Sequence, residues 1–283
     1  MKCLLINLDR SKDRLAHMTA EFARLGVAFE RMAAIDGRDR PDFDAIPMYA
    51  NRVIKLRLTG SEIGCLLSHR ACWEIIARGD DPYGAIFEDD VVFSEQAGAL
   101  LTSSDWIPAD AGIVKLETFF SKTIIGRKRI SLGQGLSVSR LYGLHIGTGG
   151  YVISRQSARD LVEGTHEIGI PVDQVMFNPN LATSSQNIIY QSVPAICVQD
   201  QFLGDKAVGL PSLIKDQRMD LLLANGLLER RKPRLAKKIG IEIRRLARQI
   251  ANFCRLRQAK VIPFDYHGEH FRPPRTQRRE NAV

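Results

Sequence analysis

Ala85-Ile86-Phe87-Glu88-Asp89-Asp90-Val91-Val92-Phe93 reads as a buried strand interrupted by three consecutive carboxylates. An unpaired carboxylate in an apolar interior carries a large desolvation cost, so the triplet belongs where the strand ends at a cleft. Hard divalent cations such as Mg²⁺ or Mn²⁺ take oxygen ligands, often one or two carboxylates plus substrate phosphates. In an extended chain side chains alternate, so Glu88 and Asp90 share a side and form a candidate metal pair. Asp89 then faces elsewhere, toward a ribose or sugar hydroxyl. The other reading is an acidic exit from strand to turn, and residue types alone leave both open.

Upstream, Cys3 to Leu8 is a compact apolar segment with Asn7 and Asp9 at its exit. Leu15, Met18, Phe22 and Leu25 then recur at helical spacing, and Gly26 is placed to stop the helix. An extended pattern resumes at Val27 and runs toward Ala34-Ile35-Asp36-Gly37. Strand, helix and strand in this order predict a right-handed βαβ unit. Ligands of such sheets lie at the carboxyl ends of the strands, where Asn7, Asp9, Arg10 and Asp36 stand.

Thr59 with Glu62 forms a possible capping box opening a helix from about Gly60 to Ala77. Gly64 inside that helix costs about 1 kcal/mol relative to Ala, which implies close approach of another segment. Ile113 to Glu117 is a short strand, and Lys122 to Leu136 is expected to be a hairpin or mobile loop. Gly147-Thr148-Gly149-Gly150 precedes a β-rich run but matches neither the phosphate loop nor the dinucleotide fingerprint. Its glycines suit a tight bend near a bulky ligand. Asp173 is either the N-cap of a helix or an active-site carboxylate. Trp73 and Trp106 could stack on sugars, though isolated tryptophans more often serve the core.

The chain of 283 residues, 45% hydrophobic, is long enough for one large or two small domains. Five scattered cysteines without zinc spacing fit a reducing compartment, with Cys65 and Cys72 sharing one helix face as small apolar residues. The apolar opening after Lys2 is too brief for a signal peptide, and no run reaches the roughly 18 residues of a membrane span. The expectation is a cytoplasmic protein. The net charge of +8 is unevenly placed: residues 228–283 hold 16 basic and 5 acidic side chains, a net of +11, while the remainder sums to −3. We therefore divide the chain into a main domain, 1–227, and a basic extension, 228–283. From Arg234, Leu235, Ile239, Ile243, Leu246, Ile250 and Phe253 recur at helical steps opposite Lys237, Lys238, Arg244, Arg245, Arg248 and Arg255. This is the pattern of a helix on an anionic membrane surface, or of a docked terminal helix with a solvated basic face. The segment beyond Pro263 is expected to be disordered.

Taken together, several segments resemble glycosyltransferase family 25, the lipooligosaccharide glycosyltransferases of bacterial envelopes, related to the collagen galactosyltransferases. They are Ile6-Asn7-Leu8-Asp9-Arg10 with Asp13-Arg14, Ala34 to Gly37, Glu62 to Cys65 with Ser68-His69, Phe87 to Asp90, Gly149-Gly150-Tyr151 with Ile153-Ser154, Pro171 with Asp173, and Pro194 with Gln199. The resemblance implies an α/β fold of GT-A type with a mixed central sheet, a UDP-linked sugar donor, and transfer with inversion. It also implies a hexose such as galactose, moved to a lipid-linked glycan at the cytoplasmic face of the inner membrane. Mn²⁺ or Mg²⁺ would be held by Asp90 first and Glu88 second, and Asp89 would contact the donor. Asn7, Leu8 and Arg10 would flank the nucleotide, and Arg14 is either a phosphate partner or a helix salt-bridge residue. Ser68 and His69 either orient the nucleotide or satisfy hydrogen bonds. Inversion needs a base for the acceptor hydroxyl; Asp173 is the first choice and Glu117 the second, with Asp173 alternatively completing the metal shell. Rival readings are a nucleic-acid-binding protein acting through the tail, which leaves the triplet unexplained, and an inactive sugar-binding module. No nucleic-acid partner is expected.

Overall fold

The computed structural model describes residues 1–38, 40–46, 57–167, 169–210, 235–266 and 268–271. Its opening is the expected βαβ unit: β1 (Lys2–Asn7), α1 (Lys12–Leu25) and β2 (Glu30–Ala33), with β1 and β2 parallel. Gly26 ends α1 in the left-handed region at φ 65°, with room around it for no other purpose than the turn. The second strand starts at Glu30, three residues later than the extended pattern suggests.

The chain then builds α2 (Gly60–Arg78), β3 (Tyr83–Glu88), β4 (Val91–Phe93), α3 (Ala97–Leu101) and β5 (Ile113–Lys115). Next come β6 (Lys122–Gly126), β7 (Ile130–Gly133), β8 (Leu136–Arg140), β9 (Gly150–Ser154), α4 (Arg155–Gly164), α5 (Val172–Phe177) and α6 (Ala182–Ser185). The described remainder holds β10 (Ile189–Val193), β11 (Cys197–Gln199), α7 (Leu235–Cys254), β12 (Arg257–Val261), β13 (Phe264–Tyr266) and β14 (Glu269–Phe271). Eight strands form one mixed sheet in the order β2-β1-β3-β9-β5-β10-β8-β7. The β1–β2, β1–β3 and β5–β10 pairs are parallel, and β9 runs antiparallel to both its neighbours.

Alternation along the central strands fills two cores. Leu4, Ile6, Ile86, Tyr151 and Ile153 point to the face covered by α2, α4 and α5, where they meet Leu66, Trp73, Leu161 and Met176. Cys3, Leu5, Ala85, Phe87 and Val152 point the other way, onto Met18 and Phe22 of α1 and Leu100 of α3. A sheet covered on both faces explains why these strands read as continuous apolar runs. Trp73 is wholly buried and donates through Nε1 to Tyr151 Oη at 2.7 Å, so it serves the core.

Residues 85–93 are not one strand. β3 stops at Glu88, Asp89 and Asp90 form a turn, and β4 leaves the main sheet to pair with β11. The alternation argument for Glu88 and Asp90 therefore fails, because the chain bends between them. The capping box at Thr59 and Glu62 is present, and α2 passes close to residues 35–37: a Cβ on Gly64 would lie 2.5 Å from the Ile35 carbonyl. The stretch from Lys122 to Leu136, expected as a hairpin or mobile loop, holds β6, β7 and the start of β8, and β7 and β8 form an antiparallel hairpin through Gly133, Gln134 and Gly135 at positive φ. Disorder past Pro263 does not hold for residues 264–266 and 268–271. β12 pairs with β6, and Phe264 is fully buried against Phe202 and Val198. Apolar side chains in that segment find a partner surface that its basic composition conceals.

Candidate active site

The register brings the carboxyl ends of the parallel strands together, with Asn7 opposite Ala33 and Ile6 opposite Glu88. At this end a cleft opens, floored by Ile6 and Leu8 and walled by Ala34 to Gly37 and by Ser61, Cys65, Ser68 and His69 of α2. Glu88, Asp89, Asp90, Arg10, Arg14 and Gln199 complete it. Eight of the residues singled out above thus share one cavity: Leu8, Arg10, Arg14, Ser68, His69, Glu88, Asp89 and Asp90.

Each carboxylate of the triplet has a different environment. Asp89 accepts from Asn7 Nδ2 at 2.7 Å and from Arg14 Nη1 at 2.6 Å, all three residues being buried. Asn7 therefore acts beneath the cleft, and Arg14 is an internal ion-pair residue; burial alone would lower its pKa, but Asp89 and then Asp90 raise it. Glu88 accepts from His69 Nε2 at 3.1 Å and Thr148 Oγ1 at 2.6 Å on one oxygen, and from Gln199 Nε2 at 3.0 Å on the other. Burial pushes Glu88 up, yet the His69 contact, with Thr148 and Lys115, outweighs it and holds the carboxyl below its ordinary value. His69 Nδ1 lies 2.9 Å from Tyr151 Oη, which carries the line of contacts to Trp73. Asp90 is the exception. Its Oδ1 is buried with no hydrogen-bond partner among the described residues, and Arg14 reaches only to 4.0 Å of Oδ2. Burial first, and the Glu88 charge second, push its pKa well above the carboxylate range.

Ser68 donates to the Gly64 carbonyl at 2.7 Å and accepts from the Ile35 amide at 2.8 Å, tying the cleft wall to α2. Arg10 pairs with Asp36 at the rim. The two base candidates lie behind the triplet and outside the lining of the cleft. Glu117 is fully buried, taking Lys115 Nζ at 2.7 Å on Oε1. Its pKa is raised to about 7 by burial, against Lys115 and with Glu88. Lys115 also donates to the Gly147 carbonyl at 2.5 Å and sits 4.1 Å from the Phe177 ring centre. Asp173 is not an N-cap: Pro171 holds that position and Asp173 is the second residue of α5. Its carboxylate accepts from the Gln174 amide at 2.7 Å and the Gly147 amide at 3.2 Å, fixing the glycine-rich loop. Burial raises its pKa against those amides, although the residue keeps part of its surface open.

Several site residues escaped the sequence reading. Thr148 appeared only as part of a backbone bend, and Lys115 only as a strand residue. Cys65 is half-buried on the cleft wall, its Sγ within 4.8 Å of ligand atoms of His69 and Glu88, rather than a core thiol like Cys72. Asp200 gives its carboxylate to the amides of Val208, Gly209 and Leu210 while its own amide binds the Asp90 carbonyl at 2.7 Å. Only the run of turn residues after β11 hints at it.

The sequence profile of glycosyltransferase family 25, described as a lipopolysaccharide biosynthesis protein, matches residues 1–176. The chain belongs to glycosyltransferase family 25. It is similar to the lacto-N-neotetraose biosynthesis glycosyltransferase LgtB of Neisseria gonorrhoeae, 30% identical over 76% of this chain and 81% of that one. The LgtB of a Neisseria meningitidis serogroup B strain is 28% identical over 92% of this chain and 98% of its own length. Likeness to solved structures is remote; a glycosyltransferase involved in glycosylation of the major capsid of PBCV-1 covers 77% of this chain and 98% of its own at 10% identity, with a TM-score of 0.40. The family 25 chain is a glycosyltransferase, and its mixed sheet flanked by helices is the α/β arrangement expected of the GT-A type.

The Glu117 environment has a measurable consequence. A carboxyl whose pKa rises from 4.5 to about 7 on folding is favoured in its neutral form. That contribution to stability is complete below about 4.5 and is lost as pH rises toward about 7. Urea unfolding at pH 5 and pH 7.5 should show a smaller loss between the two for Glu117→Gln than for the parent. Identical losses would show that burial does not raise the Glu117 pKa in the folded protein.

Proposed function

We propose that this family 25 enzyme transfers a hexosyl unit, galactose being the leading candidate, from a UDP-sugar to a lipooligosaccharide or related envelope glycan, inverting the anomeric carbon. The donor and acceptor classes follow the family resemblance and the names of the relatives. The observation that carries the metal part is Asp90: a buried carboxylate oxygen without a partner, beside the Glu88 charge, is a site whose electrostatics a cation would relieve. The donor set of carboxylate oxygens suits Mg²⁺ or Mn²⁺. Asp90 is then the first ligand. Glu88, whose oxygens already accept from His69, Thr148 and Gln199, is the second and keeps the pocket negative. When bound, the ion would neutralise charge on the departing diphosphate.

Leu8 and the wall from Ala34 to Gly37 would enclose the nucleoside, with Arg10 at the rim facing the phosphates. Arg14 and Asn7 hold Asp89 so that the donor meets one fixed carboxylate face. Asp173 receives the acceptor hydroxyl proton as the new carbon–oxygen bond forms and the sugar–phosphate bond breaks, releasing UDP. Partial exposure favours Asp173 over Glu117, which has no surface through which an acceptor could reach it. Glu117 instead accepts from Lys115, which donates to the Gly147 carbonyl.

The tail supports a membrane-surface reading. Among the described residues no helix is long and apolar enough to cross a bilayer. Leu246, Ile250 and Phe253 on α7 are 58%, 57% and 65% exposed, and Arg245, Arg248 and Arg255 are exposed beside them. Over residues 245–254 this helix shows apolar and basic side chains to solvent, which matches an anionic interface at the cytoplasmic side of the inner membrane, where a lipid-linked acceptor is held.

Three outcomes test these assignments. Asp90→Asn should lose the rise in melting temperature that Mn²⁺ gives the parent and lower turnover at least about a hundredfold; retained metal stabilisation would remove Asp90 from the ligand set. Asp173→Asn should lower kcat by about 10²- to 10⁴-fold with UDP-sugar affinity unchanged, whereas equal losses in both would make it a binding residue. Replacing Leu246, Ile250 and Phe253 together by Ser should leave the fold intact and abolish co-sedimentation with anionic vesicles at low salt. Unchanged vesicle binding, or tighter binding of the parent to duplex DNA, would overturn the membrane reading.

A further inference from the structure

A second cleft of about 270 Å³ lies away from the first, lined by Arg140, Tyr142, Phe177, Ser184, Asn187 and Arg257 among others. We propose that it binds an anionic group, phosphate or carboxylate, carried by a saccharide of the acceptor beyond the sugar that reacts. The inference rests on the transferase reading above for the word acceptor, and on the cleft alone for the anion.

Arg257 is the reason. Its guanidinium lies 3.7 Å from the centre of the Tyr142 ring, a stacking contact that fixes its plane and leaves its edge donors to point elsewhere. It has no ion-pair partner or side-chain hydrogen bond among the described residues, and its Nε is enclosed without a partner. Arg140 turns toward the same ring, at 5.8 Å, and its nearest carboxylate is Asp110 at 3.9 Å, a long and exposed contact. Two guanidinium groups converging on one cleft repel one another unless an anion lies between them, and their forked donors fit the two oxygens of a carboxylate or phosphate. Ser184, Ser185 and Asn187 add hydroxyl and amide groups of the kind that hold sugar hydroxyls.

The position connects the cleft to the chemistry. Phe177 forms part of its wall and carries Lys115 on its ring. Asp173 precedes Phe177 by four residues on α5, roughly 6 Å along the helix axis. Phe177 is thus common to the helix that carries Asp173 and to the wall of the cleft that holds the two arginines. Arg257 itself comes from β12, placed there by pairing with β6, so the basic extension completes a site that the first 227 residues leave half-built.

The experiment uses the full chain and three probes: lactose, a phosphorylated lactoside, and a lactoside bearing a carboxylate. Calorimetry should show one or both charged probes binding at least about tenfold tighter than lactose. Which of them does so identifies the anion. Arg257→Gln should remove that preference, Arg257→Lys should restore part of it, and Arg140→Gln should weaken it. KM for the charged acceptor should rise in step, while kcat and hydrolysis of the UDP-sugar stay at parent values. Equal binding of charged and neutral probes by the parent overturns the proposal, as does a preference that survives both Gln variants. Melting curves check folding, and Arg140→Gln carries the test if Arg257→Gln unfolds. A chain that transfers no sugar yet keeps an Arg257-dependent preference would overturn the transferase reading and leave the cleft standing.

Discussion

Three adjacent carboxylates have to leave the end of a fully buried strand, and the structure around them is arranged so that no two are treated alike. Asp89 is neutralised by Arg14 and oriented by Asn7, Glu88 is held by His69, Thr148 and Gln199, and Asp90 is left with an enclosed oxygen. These partners come from β1, α1, α2, the loop before β9, and β11. Five parts of the chain must therefore dock correctly before the triplet can be buried. Groups this costly to bury thus report on the tertiary structure around them, as expected where partly satisfied polar networks carry large penalties.

Much of the frame was legible because it depends on local rules. Gly26, the Thr59 and Glu62 box, and the helical spacing from Leu15 to Leu25 each act within one or two turns, and each is found where those rules place it. Gly64 shows that a misfit can be informative: its cost within α2 pointed to close approach, and the Ile35 carbonyl is the approaching group. The shared cleft was legible for a different reason. Strand ends of a parallel unit converge, so residues at the exits of β1 and β3 meet whatever the intervening loops do.

What the sequence concealed depends on contacts between distant segments. Nothing in Val91-Val92-Phe93 distinguishes a continuing strand from one that has changed sheets; the partner, Cys197-Val198-Gln199, lies about a hundred residues away. The tail past Pro263 reads as disordered because charge dominates its composition, yet Phe264 is wholly buried, as is Ile262 just before that proline, once β12 finds β6. Asp173 reads as either a cap or a site carboxylate because Asp commonly starts helices; Pro171 takes the cap position, and the Asp173 carboxylate binds the Gly147 amide.

Lys115 is the point at which these pieces meet. It is fully buried, and a buried ammonium is tolerated only with several partners. It has four: the Glu117 carboxylate, the Gly147 carbonyl, and the rings of Phe177 and, farther off, Phe119. The Gly147 amide is held in turn by Asp173, and Thr148, the next residue, donates to Glu88. The glycine-rich loop is therefore clamped on one side by groups that answer to the triplet and on the other by α5. Any displacement of this loop must break a charge-assisted contact on both sides at once, so the donor cleft and the Asp173 side of the site are fixed relative to each other by one short segment. Phe177 links this network to the second cleft, because the ring that supports Lys115 also lines that cleft together with Tyr142 and Arg257.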